Sequence, residues 1–83
     1  MAVLGTRDVA AVVREKLAAG TLPCNAPTKM WVGNGSGRSC DACGQPITPS
    51  DIEYEPDFAD PSVQVRFHQK CLDVWHQERA RRV

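Results

Sequence analysis

The chain has 83 residues with ten basic and ten acidic side chains, and a formal charge of zero argues against a protein that grips nucleic acid through bulk positive charge, though a local patch stays open. Two Phe, two Trp and one Tyr supply the large core residues, while six Pro and six Gly impose irregular backbone. This describes one weakly cored domain, of a size often completed by a metal, disulfides or a partner.

Met1-Ala-Val-Leu-Gly is followed closely by Arg7 and Asp8, and Arg14-Glu15-Lys16 breaks any apolar run. The expectation is a cytoplasmic chain without a secretion signal or membrane span. Residues 7–19 predict a helix, capped by Thr6, favoured by Asp8 at its positive end and stopped by Gly20 ahead of Pro23. Val9, Val13 and Leu17 recur at i, i+4 and i+8 with Val12 beside them, which makes one apolar stripe. Such a stripe packs on its own domain or docks into a partner, and amphipathicity alone does not separate the two.

Residues 23–39 read as a Pro/Gly-rich connector between this N-terminal unit, 1–22, and a module over 40–83. Its Gly33-Asn-Gly-Ser-Gly37 end predicts flexibility and lacks the Gly-Lys-Ser/Thr ending of a phosphate loop. Met30, Trp31 and Val32 are too apolar for a solvated linker and are expected to tuck against the following module. Residues 52–55 and 63–67 predict the arms of a β-hairpin. Ile52 and Tyr54, and Val63, Val65 and Phe67, would lie on an apolar face, with Glu53 and Glu55 opposite Arg66 on the other. A helix is expected over 69–80, with Leu72 and Trp75 inward and Glu78, Arg79, Arg81 and Arg82 toward solvent.

Cys40-Asp-Ala-Cys43 and His68-Gln-Lys-Cys71 carry the chemistry. The pattern C-x2-C…H-x2-C offers three thiolates and one imidazole, the donor set of a closed, four-coordinate structural zinc site. Binding through three thiolates would carry the chain to a charge of about −1. The competing reading is a CxxC redox motif beside an unrelated His-x-x-Cys. Gly44 suits the turn of a metal-binding knuckle, and His68 and Cys71 straddle the start of the last helix, whose free amides favour thiolate charge. Cys24 reads as a lone thiol near the core and His76 as a surface or supporting group pointing away from the His68/Cys71 pair, each a weaker candidate ligand.

Knuckle, hairpin and ligands on a helix start together resemble a treble-clef zinc finger over 40–75, and C-x2-C…H-x2-C is similar to the first zinc site of a LIM domain. The second LIM site has no counterpart after Cys71. The resemblance implies a small α+β zinc-stabilised domain with one structural Zn2+. It also implies binding as its role: of proteins, as LIM-like modules do, or of nucleic acid, as other treble clefs do. The expected function is therefore a small non-catalytic zinc-binding interaction module with a protein partner. A nucleic-acid-binding regulator using Arg38, Lys70, Arg79, Arg81 and Arg82 is the alternative, and a treble-clef nuclease using His76 is the third.

Overall fold

The structure, a computed structural model, describes residues 8–81. Thr6, Arg7 and Arg82 lie outside them. Helix α1 spans Val9–Ala19, strand β1 Lys29–Asn34, strand β2 Ile52–Asp57 and helix α2 Gln69–Arg81. The class is α+β: two helices and a two-stranded antiparallel sheet.

Asp8 caps α1: its extended backbone turns its carboxylate onto the Ala10 amide at 3.0 Å. Gly20 ends the helix in the left-handed region at φ 79°, and the Thr21 and Leu22 amides both close on the Lys16 carbonyl. That turn drops Leu22 into the core beside Leu17. Val13 and Leu17 are buried and α1 packs on α2, so the centre of the stripe serves the chain's own core.

The partner of β2 differs from expectation. β2 pairs with β1, in the register Lys29↔Asp57 to Asn34↔Ile52, so the expected connector contains a strand. Residues 63–67 make no second arm. Phe67 alone meets Tyr54, their backbones exchanging hydrogen bonds of 2.8 and 2.9 Å. The physical reason lies at residues 58–65, where Phe58 and Val65 fold into the core and pull the chain off the sheet. The predicted charge pairing survives this change. Arg66 reaches Glu53 at 3.0 Å and Glu55 at 3.8 Å. Glu53, however, is buried and Ile52 exposed, the reverse of the expected faces.

The Gly-rich segment is tied down rather than loose. Gly35 donates to the Asp51 carbonyl, Ser36 caps Glu53 through both its amide and its hydroxyl, and Gly37 donates to the Ile47 carbonyl. A side chain at Gly35 would collide with the Thr48 and Ile47 carbonyls, so glycine is required there by close backbone approach. Met30 packs against the core as expected, whereas Trp31 and Val32 are 56% and 58% exposed.

Trp75 is the centre of the core. It is fully buried, stacked on Phe67 at 5.3 Å and edge-on to Phe58 at 6.0 Å. Its indole N–H donates to the Pro23 carbonyl at 2.9 Å, which ties the end of α1's turn to α2. Glu78, expected in solvent, is 3% exposed because it accepts from Arg14 of α1 and from Arg81, each at 3.3 Å.

Candidate metal centre

The loop between the two strands carries Cys40 and Cys43. Ser39 and Pro46 form a bridge, the Cys40 amide donates to the Gln45 carbonyl and the Gly44 amide donates to the Cys40 carbonyl. Gly44 closes this knuckle at φ 80°, the positive value expected of it. The turn aims amides at sulfur: Ala42 N–H lies 3.4 Å from Cys40 Sγ. The knuckle is held from outside by Asp41, whose amide donates to the Arg66 carbonyl while its carboxylate accepts from the Arg66 amide. Lys16 of α1 donates to the Asp41 carbonyl at 2.7 Å.

That clamp sets the knuckle against the chain entering α2, where His68 and Cys71 stand. The four donor atoms of Cys40, Cys43, His68 and Cys71 all lie within 4.8 Å of one another, so one metal ion can touch them all. His68 turns Nδ1 toward the sulfurs, 3.4 Å from Cys43 and 4.0 Å from Cys71. Its Nε2 lies 3.2 Å from the Pro46 carbonyl, which only accepts. The ring proton therefore sits on Nε2 and the Nδ1 lone pair faces the cluster. Asp51, 3.9 Å from Nε2, adds a carboxylate behind the ring.

The three thiols crowd one another electrostatically. The Cys71 thiol, hydrogen-bonded to Cys40, holds Cys40 down at about 4, with backbone amides at Cys43, His68 and Ala42 helping against the cost of burial. Cys71 in turn is pushed far above the ordinary thiol range by its bond to Cys40, by burial and by the charge of Cys40 and Cys43. Three thiolates this close cannot coexist on protein contacts alone, and a cation at the centre removes that conflict. Cys40 and Cys71 are buried and Cys43 and His68 partly so. A groove of 580 Å³, lined in part by Val9, Ser50, Ile52 and Lys70, runs along Cys43 and His68.

The two spare candidates stand outside the cluster. Cys24 is exposed, not near the core, because Pro23 turns its carbonyl inward to Trp75 and leaves the next side chain in solvent. His76 lies against Trp75, with Nδ1 2.9 Å from an Arg79 nitrogen. Partial burial, then the Arg79 charge, hold it below the ordinary histidine value. What sequence reasoning missed is the support: Pro46 and Asp51 behind His68, and Asp41 with Lys16 under the knuckle. Only tertiary contact brings those together. No helix among the described residues is long and apolar enough to cross a membrane. Compared with known proteins, the chain matches no family model, no curated relative and no solved structure.

Proposed function

We propose that the protein is a small, non-catalytic, protein-binding module whose fold is held by one structural zinc ion on Cys40, Cys43, His68 and Cys71. The observation that carries this reading is the convergence of three thiols and one correctly oriented imidazole on a single point. Thiolates with one imidazole in a set of four favour zinc over the hard cations, which take oxygen ligands. When bound, zinc supplies charge neutralisation and a cross-link between knuckle and helix. Four protein ligands leave no position for an activated water, which supports a structural role. The order knuckle, strand, ligands at a helix start keeps the treble-clef, LIM-like reading in view.

Protein binding is supported by where apolar surface remains. With Val13 and Leu17 buried, the large exposed apolar side chains among the described residues are Trp31, Val32 and Ile52. Several basic residues are already engaged within the chain, which gives less to a nucleic-acid reading: Arg66 is paired with Glu53 and Glu55, Arg14 and Arg81 with Glu78, and Arg79 lies over Trp75, while Arg38 and Lys70 are exposed. The test is twofold. Native mass spectrometry should find one zinc per chain, and DNA or RNA should bind only weakly and be released by moderate salt. A metal-free folded chain, or a tight sequence-selective nucleic-acid complex, would sink the reading.

A further inference from the structure

We infer that the free edge of β1 is a homotypic interface, pairing antiparallel with β1 of a second copy about a two-fold axis at Val32. This deepens the protein-binding reading by naming the partner. The sheet has two strands, and among the described residues no strand or bridge occupies the outer side of β1. The ladder fixes which groups point outward. Gly35 donates to Asp51 in continuation of the β1–β2 register, so the odd-numbered residues of β1 bond to β2. Tyr54, opposite Val32, gives its amide and carbonyl to Phe67, and Pro56, opposite Met30, has no N–H to give. The backbone N–H and C=O of Met30, Val32 and Asn34 therefore face away from β2.

The side chains say what kind of partner fits. Trp31 and Val32 are both more than half exposed, and neighbours in a strand point to opposite faces. A helix or flat surface docked on one face would cover only one of them. A strand added at the edge flanks both.

The edge is also self-complementary. Centred on Val32, the pairing sets Val32 against Val32 of the second copy and Met30 against Asn34. Trp31 then falls opposite Gly33 of the second copy at a non-hydrogen-bonded position, where side chains approach most closely. The space above Gly33 is open, with nothing within 4 Å of where a Cβ would stand, so an indole ring has room. Lys29 falls opposite Gly35, and the two lysines sit at opposite ends of the pair. No proline interrupts residues 29–34 to blunt the edge. One six-residue strand per copy is small beside the roughly 800 Å² per partner of a standard interface, so the dimer forms reversibly and depends on concentration.

Sedimentation of the metal-loaded full chain from micromolar to millimolar concentration tests this. The expected result is a reversible monomer–dimer equilibrium. Val32→Pro removes an outward N–H that β2 does not use, so metal content stays while the dimer dissociation constant rises about tenfold or more, the loss of one to two hydrogen bonds. Trp31→Ser weakens the dimer without touching the backbone. In a Cys24→Ser background, mild oxidation should cross-link Val32→Cys to itself between copies, while Asn34→Cys should not self-link. A wild-type chain that stays monomeric, or a dimer indifferent to all these changes, overturns the inference. So does a monomer that takes up only an unrelated extended peptide. Metal is assayed in the same samples, so failure of the dimer and failure of the zinc reading are told apart.

Discussion

Cys40, Cys43, His68 and Cys71 were legible because each pair is local: the spacing of two residues is a covalent fact, and only the meeting of the pairs had to be supplied by the fold. Cys43→Ser or Cys71→Ser should abolish metal binding and unfold the chain, read by metal content and far-UV circular dichroism, whereas Cys24→Ser should change neither. Glu53 was not legible as a buried residue, since nothing in its charge announces that Ser36 and Arg66 will enclose it. Burial alone would raise its carboxyl, but the Ser36 hydroxyl and amide and then Arg66 outweigh it and hold the group below its ordinary value of 4.5. The folded state thus binds fewer protons than the unfolded one. The resulting stability is present above pH 4.5 and is lost as pH falls through the lower folded value. Glu53→Gln should flatten that acid limb in a denaturation series, and Arg66→Ala at neutral pH should cost about 2 kcal/mol by stranding a buried carboxylate.

At the scale of elements, both helices were readable from their apolar spacing and from Gly20, because those signals are short-range. The sheet was not. Lys29–Asn34 has no alternation of buried and exposed positions, and its pairing with β2 is decided by contacts across the knuckle loop. Residues 63–67 alternate correctly yet form a single bridge, since Val65 and Phe67 are recruited to the core around Trp75. The loop joining the strands offers a clean separation of two reasons for glycine. Gly44 needs only its left-handed backbone, in open space, so Gly44→Asn should cost under about 1 kcal/mol and keep the metal. Gly35 needs the absence of a Cβ: even the third atom in its path, the Ile47 carbonyl carbon, would stand 2.7 Å away. Gly35→Ala should cost about 2 kcal/mol or more by chemical denaturation and loosen β1 from β2, seen as faster amide exchange at Trp31 and Gly33.

For the molecule as a whole, α1 is not an appendage. Val13, Leu17 and Leu22 share one core with Phe67 and Trp75, and Lys16 and Arg14 fasten α1 to the knuckle and to α2. Chelation through the groove beside His68 should therefore melt both helices in one transition, not only the loop and α2, and zinc should restore them together. A calorimetric trace in which α1 survives chelation as a separate unit would contradict this. The contrast between the two tryptophans gives the molecule a built-in pair of optical reporters. Trp75, sealed among Phe67, Phe58 and Arg79, should emit from a dry environment and shift to longer wavelength when the core opens. Trp31, exposed beside the Lys29 ammonium, should answer to acrylamide and to whatever covers the sheet edge. With Trp31→Phe and Trp75→Phe measured in turn across a concentration series, emission colour should report chelation of the metal and quenching should report covering of the edge.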